Sequence, residues 1–118
     1  MKKVLLVEDE PDEAQSMKMV LEKAGFSVEL ARDGKEAIDR MGRAELVVLD
    51  IILPRLDGSA VLKEMKKRGL KAPVVVVTAV SREVGVEADL KLIRPGLVFL
   101  QKPFSSSELL AAVKSFEK

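Results

Sequence analysis

Short apolar runs with no polar alternation recur along the chain at residues 4–7, 46–49, 74–77 and 97–100, with a fifth, more mixed run at 28–31. Such runs suit strands buried on both faces, as in a parallel sheet covered by helices on either side. The four consecutive valines at 74–77 point to an interior strand, because β-branched side chains suit a doubly buried position. Between the runs lie segments with apolar positions at helical spacing. The first helix is expected from about residue 11 to 24, with Ala14, Met17, Val20, Leu21 and Ala24 on one face, Pro11 at its start and Gly25 as its stop. Asp33 is placed to cap a second helix while Glu36 reaches back in a capping box, and Ala37, Ile38 and Met41 then face inward. A loop with Pro54 and Gly58 leads into a third helix, with Asp57 as its N-cap and Val61, Leu62 and Met65 buried. Ser105 and Glu108 form a second capping box for the last helix, whose stripe is Leu109, Val113 and Phe116. Between residues 80 and 94, Val84, Val86, Ala88, Leu90, Leu92 and Ile93 fit no single face cleanly, and a helix without defined ends is expected. The strand–helix alternation predicts a three-layer α/β fold, a doubly wound parallel sheet, with residues 1–118 forming a single domain.

Polar residues close four of the runs. Glu8 and Asp9 end the first, Asp50 the run at 46–49, Thr78 the valine run, and Lys102, after Gln101, the last. In a parallel sheet these positions emerge on one edge, the edge at which ligands collect in open α/β folds. Glu8 and Asp9 alone can be read as acids favouring the dipole of the next helix, Thr78 alone as a turn residue and Lys102 alone as a solvated charge. Together they form a constellation. Crowded carboxylates repel unless a hard divalent cation neutralises them, and acids for a metal, an acid free to attack, a hydroxyl donor and a fixed ammonium are the parts that phosphoryl transfer requires.

Composition removes the main competitors. The chain has 118 residues, 47% hydrophobic and 33% charged, and carries no Cys and no His, which rules out a thiol nucleophile, a Ser-His-Asp triad and a zinc site built on nitrogen or sulfur. The lack of Trp and Tyr removes stacking aromatics for flavin or bases, and a net charge of +1 without basic runs gives no reason to expect a nucleic-acid partner. No apolar stretch is long enough to span a bilayer or to serve as a signal peptide, so no membrane association and a cytoplasmic location are expected.

The motifs V-E-D-E at 7–10, L-D-I-I-L-P-R-L-D-G at 49–58, V-T-A at 77–79 and Q-K-P-F at 101–104 resemble those of the receiver domain of bacterial response regulators, over essentially the whole chain. The resemblance implies a five-stranded flavodoxin-like sheet of order 2-1-3-4-5. It also implies a role for each residue. Asp50 matches the phosphoacceptor, Asp9 a direct Mg²⁺ ligand, Glu8 an acid that reaches the ion through water, and the backbone carbonyl of Ile52 a further ligand; Mn²⁺ can substitute. Thr78 matches the switch hydroxyl, Lys102 the phosphate-pairing ammonium, and the bond before Pro103 is expected cis, the alternative being an ordinary trans proline. Phe99 sits where the family places a switch aromatic, and a plain core aromatic is the competing reading. The implied phosphodonor is a sensor histidine kinase or phosphotransfer protein. The implied output is a change on the face of the fourth helix, fifth strand and fifth helix, read by an effector protein or a fused output domain. No enzymatic activity is expected beyond the chain's own phosphorylation and dephosphorylation.

Several positions depart from the commonest pattern. Glu8 stands in place of the usual first Asp, and L-I-R-P-G-L at 92–97 replaces a more usual Gly-Ala pair, with Pro95 ending the fourth helix early. Ile52 and Val80, two residues beyond Asp50 and Thr78, are apolar and would restrict water at an acyl phosphate, so slow autodephosphorylation is expected. A haloacid-dehalogenase-like phosphatase would need an acid where Ile52 stands, and an FMN carrier would need a hydroxyl- and Gly-rich loop where residues 8–13 are almost all acidic. A phosphorylation-independent adaptor on the same fold remains the alternative. No output segment is expected after the last helix, which is consistent with a stand-alone regulator or with the receiver of a longer or hybrid protein.

Overall fold

In the computed structural model, which describes residues 2–53, 55–79 and 85–116, five parallel strands lie in the order β2-β1-β3-β4-β5. The strands are β1 (Lys3–Val7), β2 (Ser27–Ala31), β3 (Leu46–Asp50), β4 (Val74–Thr78) and β5 (Val98–Gln101). The helices are α1 (Pro11–Lys23), α2 (Gly34–Arg40), α3 (Gly58–Arg68), α4 (Val86–Ile93) and α5 (Ser106–Lys114), with a 3₁₀ turn at Met41–Arg43. This is the expected three-layer, doubly wound order.

Alternation along the strands decides which helices cover which face. Leu5, Val7, Val47, Leu49, Val74 and Val76 point into one core with Ala37, Val61, Met65 and Leu90, so α2, α3 and α4 cover that side. Val4, Leu6, Leu46, Val48, Val75 and Val77 point into a second core with Met17, Leu21, Leu109 and Val113, so α1 and α5 cover the other. A period of two on a doubly buried strand thus feeds two cores at once, and every residue of β3 and β4 is buried.

Element ends shift by a residue or so from the sequence reading. α1 stops at Lys23, Ala24 is its C-cap, and Gly25 comes next with φ 98°. The fifth strand begins at Val98 rather than residue 97. The capping boxes diverge: that of Ser105 and Glu108 is complete, whereas Glu36 accepts from Arg32 N–H rather than from the Asp33 N–H. Asp33 still caps α2 by accepting from Glu36 N–H at 2.8 Å. Of the helix expected over 80–94, Val86–Ile93 is helical; Val80 and Val84 lie outside the described residues, as does Pro54. Among the described residues, no helix is long and apolar enough to cross a membrane.

Candidate functional site

The five polar residues predicted for the site sit at the carboxyl edge of the sheet, whereas Phe99 lies within β5. Glu8 and Asp9 come after β1, Asp50 ends β3, Thr78 ends β4, and Lys102 comes after β5. Strand parity then sorts them by side. Asp50 continues the Leu46, Val48 series, Glu8 the Val4, Leu6 series and Lys102 the Val98, Leu100 series, all toward α1 and α5. Thr78 continues Val74 and Val76 toward α4, the side on which Phe99 is buried.

Carboxylate oxygens of Glu8, Asp9 and Asp50 lie within 4.8 Å of one another, with Glu8 and Asp50 buried and Asp9 exposed. Lys102 Nζ joins the group, donating to Glu8 Oε1 at 2.7 Å and to Asp50 Oδ2 at 2.9 Å. The other oxygen of each buried acid is held by backbone: Ile52 N–H donates to Asp50 Oδ1 at 3.0 Å and Glu10 N–H to Glu8 Oε2 at 3.1 Å. Lys102 is itself fixed through its backbone, whose N–H donates to the Thr78 carbonyl at 2.7 Å, and its bond to Pro103 is cis. Ile52 is exposed on the rim, at 58%.

A residue the sequence reading passed over completes the cluster. Glu13, in the first turn of α1, accepts from Lys102 Nζ at 2.6 Å. Its position could have been foreseen, since parity puts Glu8, Asp50 and Lys102 on the α1 side and Glu13 lies one helical turn past the acidic loop. Glu10, also unforeseen, caps α1 by accepting from Glu13 N–H at 2.8 Å.

Burial pushes the Glu8 carboxyl up to about 7, against the lowering effect of its bonds from Lys102 and the Glu10 N–H; the nearby Asp50 charge adds to the rise. For Lys102, burial acts to lower the ammonium's pKa, but bonds to Glu13, Glu8 and Asp50 outweigh it and hold it well above the usual lysine value. The same bond holds the Glu13 carboxyl below the usual range. Grouped carboxylates in a chain with no His or Cys form a donor set of hard oxygens that suits Mg²⁺. A cleft of about 590 Å³ between α1 and the start of α5 is lined by Glu13 and Lys102 but not by Glu8, Asp9 or Asp50, so it lies beside the acids rather than over them.

The loop from Asp50 to α3 is held in place by contacts invisible in the motif. Gly58 N–H donates to the Ile51 carbonyl at 2.8 Å, and a Cβ at Gly58 would meet Ile51 and the Asp50 carbonyl at 2.6–2.8 Å. Asp57 caps α3, as expected, by accepting from Ala60 N–H at 3.0 Å. Arg55, at φ 66° in a region that L-residues seldom occupy, is anchored by its guanidinium to the Asp33 carboxylate at 2.8–3.0 Å. A Cβ on Gly34 would fall 1.9 Å from the Leu56 carbonyl oxygen, so the start of α2 and this loop touch backbone to backbone.

Residues 4–114 match the family model of the response regulator receiver domain. Response regulator MprA of Mycolicibacterium vanbaalenii is 38% identical over 119 residues, covering 96% of this chain and 49% of the relative. The alkaline phosphatase synthesis transcriptional regulatory protein PhoP of Bacillus subtilis is 35% identical, covering 97% and 48%. The chain thus spans about half the length of the curated relatives it matches. Among solved structures, response regulator TrrA of Thermotoga maritima in complex with Mg²⁺-BeF is similar at a TM-score of 0.85 with 30% identity, over 98% of each chain. A CheY-like receiver domain protein of Methanospirillum hungatei is similar at 0.83 and 27%, over 98% of this chain and 92% of that one.

Proposed function

The chain belongs to the response regulator receiver family of two-component signalling, and on that premise we propose that Asp50 accepts a phosphoryl group in a Mg²⁺-dependent reaction and that the fold relays its presence to a partner. The observation that carries this reading is the Asp50 carboxylate, held by the Ile52 N–H and the Lys102 ammonium, with Glu8 and Asp9 close enough to share one cation with it. That TrrA, similar over 98% of its solved chain, was solved with Mg²⁺-BeF supports the same ion here.

Asp50, Asp9 and the Ile52 carbonyl would hold Mg²⁺ directly and Glu8 through water, with Mn²⁺ able to replace it at the same oxygen donors. When bound, the ion offsets the repulsion between the carboxylates and an incoming phosphoryl group. An Asp50 carboxylate oxygen attacks the phosphorus of a phosphohistidine on a histidine kinase or phosphotransfer protein. The P–N bond breaks, the imidazole leaves and takes up a proton, and Asp50 becomes an acyl phosphate. Lys102 pairs as a point charge with a phosphoryl oxygen, and the Thr78 hydroxyl donates to another.

Thr78 and Phe99 lie on the α4 side of the sheet, so a shift of Thr78 toward the phosphoryl group bears on the packing around Phe99 and Leu90. The output is then a change on the α4, β5 and α5 face, read by an effector protein or a fused output domain. The chain acts in the cytoplasm and catalyses no reaction but its own phosphorylation and dephosphorylation.

Incubation with acetyl phosphate and Mg²⁺, read by intact mass, separates this reading from a phosphorylation-independent adaptor. The wild type should gain one phosphoryl group and Asp50→Asn none. No gain in either favours the adaptor.

A further inference from the structure

A lysine ammonium has three N–H donors, and those of Lys102 are matched one for one by Glu8, Glu13 and Asp50. A phosphoryl oxygen can therefore gain a donor from Lys102 only if one of these acids gives it up. Until the phosphorus is attacked Asp50 is still a carboxylate, and because the side chains of Glu8 and Asp50 are only 1% and 7% exposed, Glu13 is the acid that gives up the ammonium at least cost. The Glu13 side chain is 48% exposed and faces the open cleft beside α5, where water replaces the lost bond readily.

We propose that Glu13 is a positioning residue that holds Lys102 in the unphosphorylated protein and is displaced from it by the phosphoryl group, thereby restraining phosphorylation by small anionic donors. The inference rests on the reading of Asp50 as phosphoacceptor. Glu13 restrains in two ways: its bond to the ammonium must break before the phosphoryl group is paired, and its negative charge stands where an anionic donor approaches. Glu13 could instead serve only as a first-turn acid that favours the α1 dipole, a role in which Asp12 is its neighbour and equal.

The test compares the rate of phosphoryl uptake from acetyl phosphate with saturating Mg²⁺, by intact mass, in wild type, Glu13→Gln, Glu13→Ala and Asp12→Asn. Glu13→Gln keeps the side chain's length and removes its charge. Both Glu13 variants should be phosphorylated roughly two- to fivefold faster, the range an exposed ion pair commands. The gain should shrink at about 1 M salt, where screening acts over about 3 Å. Asp12→Asn should stay near the wild-type rate. If the wild type is phosphorylated and the Glu13 variants match it or are slower, or if Asp12→Asn gains as much as they do, the displacement is overturned while the phosphoacceptor reading stands. A wild type that takes up no phosphoryl group overturns both.

Discussion

The contact between Gly34 and Leu56 makes a sharp prediction, because two elements touch there through backbone rather than through adjustable side chains. An alanine at Gly34 would place its Cβ 1.9 Å from the Leu56 carbonyl oxygen and 2.5 Å from the Leu56 Cβ, so the loop after β3 must retreat by roughly an ångström. Overpacking of this kind costs about 1–3 kcal/mol. At about 4 °C per kcal/mol for a domain of this size, Tm should fall by roughly 4–12 °C. The control is Gly42→Ala, where nothing lies within 4 Å of the new Cβ and φ is not positive; stiffening the unfolded chain there should stabilise by about 0.4–1 kcal/mol. Urea titrations of wild type and both variants measure the two effects as changes in midpoint at constant slope. The displaced loop also carries Ile52, whose N–H holds Asp50, so Gly34→Ala should weaken Mg²⁺ binding as well, read by titration of the folded protein. A Gly34→Ala midpoint equal to wild type, or a Gly42→Ala variant destabilised as much, would refute the reasoning.

Three further expectations rest on the same geometry. Arg94 donates from its guanidinium to the Leu70 carbonyl at 2.7 Å and the Ala72 carbonyl at 2.5 Å, tying the end of α4 to the loop before β4. Arg94→Ala should cost about 1–3 kcal/mol in urea unfolding, and Arg94→Lys, lacking the fork, should not restore it; an unaffected midpoint in Arg94→Ala would show the clamp to be idle. The Asp33 carboxyl is held below the usual range by the Glu36 N–H and by Arg55, and Asp57 by the Ser59 hydroxyl and the Ala60 N–H. Groups lowered on folding stabilise above their unfolded pKa, about 3.9 for Asp, and that stability is lost as pH falls through the folded value. Asp33→Asn and Asp57→Asn should therefore lose stability at pH 7 and flatten the acid limb of a stability–pH curve, and an acid limb as steep as wild type in both would contradict this. With apolar Ile52 on the rim of the site, the phosphorylated domain should lose its phosphoryl group slowly, and a half-life of seconds would contradict that.

Much of the fold and site was legible because a doubly buried parallel strand writes itself as an unbroken apolar run, and the residue that ends the run falls on the functional edge. Asp50, Thr78, Lys102 and the acidic pair are candidates on that ground, and the structure gathers them at one edge. Boundaries were less legible, because they depend on hydrogen bonds rather than hydropathy: Glu36 reaches Arg32 instead of Asp33, and only the Ser105–Glu108 box closes. Least visible were contacts between residues distant in sequence. Nothing local in Gly34 announces the Leu56 carbonyl, and nothing local in Arg55 announces Asp33. Glu13 is intermediate, since strand parity and one helical turn were enough to bring it to Lys102 had both been counted.

Reduction of the acyl phosphate with borohydride, with subsequent peptide mapping, measures most directly which carboxylate takes the phosphoryl group. After acetyl phosphate and Mg²⁺, residue 50 alone should be converted to homoserine, and a chelator added beforehand should abolish the conversion. Conversion at Glu8, Asp9 or any other acid, or conversion at Asp50 that persists in the chelator, would contradict the account.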